Sequence, residues 1–277
     1  MKLQILGSGG GEGYPALFCE CAHCKAARKA GGKSLRSLSQ SLIDGKLLID
    51  LPATTLAHCL SNGFGLGHIE HMLITHTHAD HFAPQILDTR GGDYAHDLTA
   101  EKLHIYGNAD VTRRFNGMFA LFPIGNAIRE NIVLHTVQAF VPFVAGEYTV
   151  TPLKANHAPE EDALNYIIDN GDTALLYLVD TGYPTDETLA YIKNYGKKFG
   201  CVVMDATMGV NYYERHMNFA ENKKLKETLC KANVCNDNTE FVIAHITHNH
   251  AGLHEEIEKH FEGSGITVSY DGFAAKF

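Results

Sequence analysis

Short apolar runs separated by glycine, asparagine and aspartate recur along the whole chain. Runs of roughly four to eight residues of this kind are typical of buried strands. The clearest pair is 164–168 with 174–179, joined by a turn rich in aspartate, asparagine and glycine, which predicts a hairpin. The other predicted strands are 1–7, 41–43, 47–49, 71–74, 102–106, 132–138, 148–153, 201–205, 240–245 and 267–270.

Stretches with apolar side chains at helical spacing alternate with these strands. They predict helices over residues 52–62, 84–93, 110–122, 185–195, 218–232 and 255–261. Asp186 and Glu187 fall in the first turn of one predicted helix, and Asn218 can cap another. Strand-rich stretches with helices outside them, repeated in two halves, predict an α/β fold with four layers, an αβ/βα sandwich.

Length and composition agree with a large globular unit. The chain has 277 residues, of which 45% are hydrophobic, so a sizeable core is available. Layered folds of roughly 200–250 residues often form one domain, and we expect a single domain over residues 1–277. No apolar run approaches the roughly 20 residues of a membrane span, and the first residues lack a long apolar signal segment. We therefore expect a cytoplasmic protein with no membrane partner.

Charge and cysteine content narrow the classes of function. The formal net charge of −9 argues against a long nucleic acid partner, because phosphate backbones are bound chiefly by clustered lysine and arginine. The negative net charge does not exclude small anionic substrates, because bound cations dominate the electrostatic field inside their own site. Seven cysteines, an odd number, favour free thiols and metal ligands over a disulfide framework.

The densest cluster of chemical groups is the segment 75–81, THTHADH, which directly follows the apolar run 71–74. Two residues apart in an extended chain, His76 and His78 point to the same side. Asp80 and His81 can turn to a second point on the same rim. Nitrogen and oxygen ligands at this density are typical of metal binding, and the arrangement suits two ions better than one.

A second cluster lies near the start of the chain, in the segment 19–24, CECAHC. The thiolates of Cys19, Cys21 and Cys24 can wrap a single zinc ion. Zinc in such sites usually has four tetrahedral ligands, so a fourth must come from elsewhere. His23 and His250 are local candidates.

The HxHxDH pattern of residues 76–81 resembles the hallmark of the metallo-β-lactamase superfamily of dinuclear hydrolases. The rest of that family's pattern can be followed along nearly the whole chain. Four further residues at or just after the ends of predicted strands match it: Asp50 as a supporting aspartate, His157, Asp180 and His245.

The resemblance implies two divalent ions, zinc or manganese, in the active site. The implied ligands are His76, His78 and His157 for one ion, Asp80, His81 and His245 for the other, and Asp180 as the bridge. Two ions about 3.5–4 Å apart lower the pKa of a shared water toward neutrality and so provide a hydroxide nucleophile. Iron is also compatible with histidine and aspartate ligands.

The resemblance also implies an acid catalyst. In phosphodiesterase members of the superfamily, a histidine in the loop after the strand that ends here at Asp205 contacts the scissile phosphate and can protonate the leaving oxygen. His216 lies at this place, and an imidazole with an unperturbed pKa of about 6.5 suits the task. Asp80 and His216 are therefore the expected catalytic residues. The expected substrate is a small phosphodiester, with cyclic ribose phosphates foremost.

The cysteine motif resembles two branches of the superfamily. One contains the cyclic ribose-phosphate phosphodiesterase of phosphonate breakdown, and the other a pyrroloquinoline-quinone biosynthesis protein. In the phosphodiesterase the fourth ligand is a histidine three residues after the last active-site histidine, which is His248 here. The resemblance thus implies one structural zinc held by Cys19, Cys21, Cys24 and His248, tying the N-terminal loop to the active-site segment.

Other members of the superfamily share the dinuclear site. A lactonase, an iron-dependent oxidoreductase and a cofactor-biosynthesis protein therefore stand as alternatives. The tRNA 3′-processing endonucleases that bear a substrate arm carry a long insertion, for which residues 157–180 leave no room. Thiolester hydrolases related to glyoxalase II usually bear a separate helical domain, which is not recognisable in this sequence. A homodimer is compatible with the sequence.

Overall fold

The strands of the protein form two mixed sheets. A computed structural model of the chain describes residues 1–121, 126–249 and 251–277, and in these ranges fourteen strands make two seven-stranded sheets. The strands are β1 (Lys2–Gly7), β2 (Gln40–Ile43), β3 (Leu47–Ile49), β4 (His71–Leu73), β5 (Leu103–Gly107), β6 (Ile132–Thr136), β7 (Phe143–Ala145), β8 (Tyr148–Lys154), β9 (Leu164–Asp169), β10 (Ala174–Leu178), β11 (Phe199–Asp205), β12 (Glu240–Ala244), β13 (Thr267–Val268) and β14 (Phe273–Lys276).

Each sheet combines antiparallel and parallel pairs. The first has the order β14-β1-β2-β3-β4-β5-β6, and it changes from antiparallel to parallel pairing at β3. The second has the order β13-β12-β11-β10-β9-β8-β7, and it is parallel from β10 to β13. In the three-residue connection between β2 and β3, Asp44 and Gly45 adopt φ 50° and 72°, and Lys46 N donates to the carbonyl of Ile43, so these two residues form the centre of a tight turn.

Helices cover the outer faces of both sheets. The helices are α1 (Ala22–Ala30), α2 (Thr55–Asn62), α3 (Ala109–Leu121), α4 (Asn126–Glu130), α5 (Asp186–Lys193), α6 (Phe219–Lys231) and α7 (His254–Phe261). Of these, α1 packs instead in a small separate cluster with Tyr14 and Ala16. Local sequence sets several of their ends. Asn218 and Glu221 form a reciprocal capping box at the start of α6, and Gly63 ends α2 in the left-handed conformation, with φ 68°.

Apolar side chains fill the spaces between the four layers. Alternation along β11 shows the principle: Val202 and Met204 pack toward the helices, whereas Cys201 and Val203 pack toward the other sheet. On the first sheet, Met72 and Phe115 belong to the corresponding outer cluster. Helix, sheet, sheet and helix layers therefore succeed one another, which confirms the predicted αβ/βα sandwich.

Some local predictions were wrong. Residues 84–93 do not form an α-helix but two short 3₁₀ turns, Pro84–Thr89 and Gly92–Tyr94, because the glycine pair at 91–92 interrupts the helical repeat. The short edge strands β7 and β14 were not predicted. The predicted helix 110–122 is present to Leu121, and its last residue lies outside the described residues. Within the described ranges, each helix is too short or too polar to cross a bilayer.

Candidate metal centre and active site

The candidate site lies at one edge of the two sheets, where strands of both sheets end. Asp50 follows β3, Asp180 follows β10 and His245 follows β12. All three residues adopt left-handed backbone conformations, with φ values of 67°, 56° and 59°. Aspartate and histidine tolerate this region better than most residues, although each instance costs on the order of 1–2 kcal/mol. The turn that each residue makes ends its strand and directs its side chain into the common edge.

The first predicted ligand set is assembled around Asp180. Ligand atoms of His76, His78, His157 and Asp180 all lie within 4.8 Å of one another. The Nε2 atoms of His76 and His157 lie 3.2 and 3.3 Å from Asp180 Oδ2, and His78 Nδ1 lies 3.2 Å from His157 Nε2. The three histidines come from two different loops, yet they converge on one carboxylate.

The second predicted ligand set shares the same carboxylate. Ligand atoms of Asp80, His81, Asp180 and His245 also lie within 4.8 Å of one another. His81 Nε2 lies 3.1 Å from Asp180 Oδ2, 3.2 Å from Asp80 Oδ2 and 3.2 Å from His245 Nε2. Asp180 Oδ2 thus belongs to both groups, in the position expected of a bridging ligand.

The donor set fits divalent transition metals. The buried Nε2 of His76 has no hydrogen-bond partner among the described residues, although it faces Asp180. Burial lowers the pKa of His76, and it lowers the pKa of His157 to about 4, so both imidazoles are neutral near pH 7. Neutral imidazole and ionised carboxylate are the forms that bind zinc, manganese or iron. A buried nitrogen without a hydrogen-bond partner is explained by a cation at this place.

Carboxylates behind the ligands fix the orientation of two histidine rings. Asp50 Oδ2 lies 2.7 Å from His81 Nδ1, and Asp50 also accepts hydrogen bonds from the N–H and hydroxyl of Thr75. Asp205 Oδ2 lies 3.3 Å from Nδ1 of His245. In each case the Nε2 atom of the ring is left facing Asp180, which is how outer carboxylates orient metal-binding histidines.

His216 lies in the loop between β11 and α6 and faces the shared carboxylate of Asp180 from the other side. Its Nδ1 is 3.1 Å from Asp180 Oδ1 and 3.8 Å from Asp205 Oδ2. Burial opposes a charge on the ring, but the contacts with both carboxylates outweigh it and raise the pKa of His216 to about 10. His216 also belongs to a ligand-like group with Asp180, Asp205 and His245, so the same nitrogen can act as a metal donor.

Two residues of the site were missed from the sequence. Asp205 was interpreted only as the end of a strand, although it contacts both His216 and His245. A signal was present, because a buried strand ending in aspartate is the pattern that identified Asp180. Glu161 accepts hydrogen bonds from the backbone and hydroxyl of Thr77 at 3.0 and 2.8 Å, and so braces the central motif. No sequence pattern distinguishes it.

The cysteine motif forms a separate group with the predicted histidine. Ligand atoms of Cys19, Cys21, Cys24 and His248 lie within 4.8 Å of one another. His248 Nδ1 is 3.5 Å from Cys19 Sγ and 3.6 Å from Cys21 Sγ. The hydrogen bond from the backbone N–H of Cys24 lowers the pKa of Cys21 to about 6, which favours the thiolate that zinc binds. Of the other candidates, His23 is not part of this group, and His250 lies outside the described residues.

Comparison with known protein families agrees with the fold. Residues 50–250 match the model of the beta-lactamase superfamily domain. The chain belongs to this superfamily, and its two-sheet sandwich is the metallo-β-lactamase fold. Its histidine and aspartate groups could hold divalent metal ions. Among curated proteins, it is 26% identical over 283 residues to an octanoyltransferase of Porphyromonas gingivalis W83. The match covers 99% of this chain but spans only 51% of that relative.

Solved structures show the same fold over the whole chain. A diphosphatase from the PhnP family has a TM-score of 0.76 at 21% identity, covering 100% of this chain and 97% of its own. The Zn²⁺-bound PqqB of Methylobacterium extorquens has a TM-score of 0.73 at 17% identity, covering 100% of both chains. The short form of human tRNase Z has a TM-score of 0.68 at 15% identity, covering 100% of this chain and 99% of its own.

Proposed function

We propose that the protein is a two-metal phosphodiesterase that hydrolyses small phosphodiesters, with cyclic ribose phosphates as the foremost class. The observation that carries the proposal is the shared carboxylate of Asp180. Its Oδ2 lies between the two histidine groups, and its Oδ1 faces His216 at 3.1 Å. A bridged pair of cation sites with a proton donor beside it is an arrangement well suited to phosphoryl transfer to water.

The chain's own residues divide the work. When bound, zinc or manganese ions would supply Lewis acidity toward the phosphate oxygens and lower the pKa of a water molecule. Asp180 would be a ligand shared by both ions, and Asp80 would be a further ligand of the second ion. The contacts with Asp180 and Asp205 raise the pKa of His216 to about 10, and in the proposed reaction this ring would deliver a proton to the leaving oxygen. Asp205 would keep that ring in place.

Small substrates are favoured over long nucleic acids. The net charge of −9 disfavours a surface that follows a phosphate backbone. One structural neighbour is named as a diphosphatase and another as a tRNase Z, and both act on phosphate compounds by name. The acidic balance of this chain supports the smaller of these two substrate classes. The cysteine group would hold one structural zinc outside the reaction.

The test is hydrolysis of bis(p-nitrophenyl) phosphate and of a 2′,3′-cyclic nucleotide after reconstitution with zinc or manganese. Asp180→Ala should abolish turnover because it removes the shared ligand. His216→Ala should lower turnover by about 10²–10⁴-fold, the usual contribution of a general acid. The p-nitrophenolate leaving group needs little protonation. His216→Ala should therefore lower turnover of bis(p-nitrophenyl) phosphate less than turnover of the cyclic nucleotide. Absence of turnover by a fully metallated wild type would refute the proposal and favour a lactonase or an iron-dependent oxidoreductase.

A second candidate function is hydrolysis of an acyl ester or thioester. It is favoured by the curated relative named as an octanoyltransferase. This chain spans about half the length of that relative. The name octanoyltransferase therefore describes a protein about twice as long as this chain. An octanoyl thioester assayed beside the phosphodiesters separates the two candidates. Turnover of the thioester alone, lost in Asp180→Ala, would replace the first proposal with the second.

A further inference from the structure

Glu12 contacts the segment that carries the last ligands of both predicted metal sites. Its Oε1 lies 3.1 Å from Nε2 of His248 and accepts a hydrogen bond of 3.2 Å from the side-chain amide of Asn249. The Glu12 side chain is 36% exposed and that of His248 is 18% exposed, so the pair is partly shielded from water.

The contact fixes which nitrogen of His248 faces the thiolates. Nδ1 points to Cys19 and Cys21, at 3.5 and 3.6 Å from their sulfur atoms. With its Nε2–H donated to the Glu12 carboxylate, the ring carries its lone pair on Nδ1, which is the form that binds a metal. Outer carboxylates on metal-binding histidines commonly change metal affinity by 10–100-fold.

Glu12 also directly follows residues 7–11, GSGGG, which form a glycine-rich loop beside the active site. A Cβ atom on Gly10 would come within 2.9 Å of His245 Cε1, and one on Gly11 would lie 3.8 Å from Asp80 Oδ2. The loop is further held by a hydrogen bond of 3.3 Å from Gly10 N to the carbonyl of Ile246. Residues 10 and 11 thus pass beside the second ligand group, and Glu12, next along the chain, contacts His248 of the cysteine group.

We propose that Glu12 is a positioning residue that orients His248 for zinc and, through this link, fastens the glycine-rich loop against Asp80 and His245. The proposal rests on the cysteine zinc site proposed above. The zinc site then has a defined role: it anchors the loop that forms one wall of the active site. Loss of the Glu12 carboxylate should weaken zinc binding and loosen the loop together.

The chain offers a matched control. Glu20 also lies in the N-terminal segment and pairs with Arg28 at 3.3 Å, but its side chain is 72% exposed and contacts neither His248 nor the glycine-rich loop. Glu20→Ala removes a carboxylate of the same charge beside the same cysteines. Glu12→Gln is the conservative variant, because its amide oxygen can still accept the hydrogen bond from His248 Nε2.

The first measurement is zinc affinity at the cysteine group, determined by competition with a chromophoric chelator. Glu12→Ala should bind zinc about 10–100-fold more weakly than the wild type, Glu12→Gln should recover most of that loss, and Glu20→Ala should stay within about twofold. Equal affinities of Glu12→Ala and Glu20→Ala would overturn the inference. Cys24→Ser identifies the zinc that belongs to this group.

The second measurement is hydrogen exchange of the backbone amides in residues 8–14, read by mass spectrometry. Exchange should be faster in Glu12→Ala and in the zinc-depleted wild type, and unchanged in Glu20→Ala. Unchanged exchange in Glu12→Ala would overturn the link to the loop. If Cys24→Ser binds as much zinc as the wild type, the cysteine zinc site itself is refuted. That result is independent of phosphodiester turnover.

Discussion

Substitution of Gly10 by alanine tests how closely the glycine-rich loop constrains the active site. A Cβ atom at this position would lie 2.8 Å from Thr247 Cγ2, 2.9 Å from His245 Cε1 and 3.0 Å from His245 Nδ1. Ordinary carbon contacts begin near 3.4 Å, so a displacement of roughly half an ångström is required. Gly10 does not need a left-handed backbone, and the effect of the substitution is therefore steric.

Neither neighbour can move freely. The Thr247 hydroxyl donates to the carbonyl of Thr207 at 3.1 Å and accepts from Asn249 N at 3.1 Å, which fixes its rotamer. His245 Nδ1 lies 2.7 Å from Thr207 Oγ1, and its ring is buried. Overpacking of a rigid site costs about 1–3 kcal/mol, which corresponds to a fall in Tm of roughly 2–10 °C for a chain of this size. Displacement of His245, a predicted metal ligand, should lower kcat by about 10–100-fold.

Gly11→Ala is the matched control. Its added Cβ atom would meet Asp80 Oδ2 at 3.8 Å, an ordinary contact. We expect its turnover to stay within about twofold of the wild type and its Tm within about 2 °C. Substitutions without a steric clash usually change the free energy of unfolding by less than about 0.5 kcal/mol. The assays are phosphodiester hydrolysis at saturating metal and thermal unfolding with the same metal content. If Gly10→Ala behaves like Gly11→Ala in both assays, the loop does not constrain His245 as argued.

Three further substitutions test the carboxylates behind the ligands and a buried histidine. Asp50→Asn should keep the fold but weaken the second metal site about 10–100-fold, because His81 loses its anionic partner; a chelator competition that shows unchanged affinity would contradict this. Asp205→Asn should lower kcat about tenfold with little change in KM, as it leaves His216 less well held; an equal rise in KM would indicate a role in binding. His58 is buried, and burial lowers its pKa to about 4, below the unfolded value of about 6.5. The unfolded chain therefore binds a proton at His58 more readily than the folded chain does. Between pH 7 and pH 4, His58 alone should lower the free energy of unfolding by about 3 kcal/mol. Urea unfolding of His58→Gln at the two pH values should lack this part of the decrease.

The central motif could be predicted from sequence because its chemistry is local. His76, His78, Asp80 and His81 lie within six residues, and strand geometry alone places two of the histidines on one side. The hairpins and capped helices were predicted for the same reason, since their signals are contained in a few neighbouring residues. Asn218 illustrates this, because it was predicted as a helix cap from sequence, and in the structure it caps α6 by accepting a hydrogen bond from Glu221 N.

The distant ligands required the resemblance as well. His157 and His245 are single histidines after apolar runs, a pattern that several other histidines of this chain share. Their convergence depends on the order of strands in the second sheet and on the packing of that sheet against the first. Glu12 shows the limit most clearly, because its partner His248 lies 236 residues away and the contact has no periodic signal. The pairing of the two segments becomes visible only with the fold.

The positions of Asp50, Asp180 and His245 explain why this chemistry needs so large a scaffold. Each residue lies in the left-handed region, at φ 67°, 56° and 59°, where a residue other than glycine is disfavoured by about 1–2 kcal/mol. A short isolated segment would relax out of this conformation and carry its side chain away from the others. The preceding strands are buried on both faces, so relaxation would disrupt the pairing and packing of both sheets. The core thereby offsets the local strain and holds the carboxylates and imidazoles together at this edge of the two sheets.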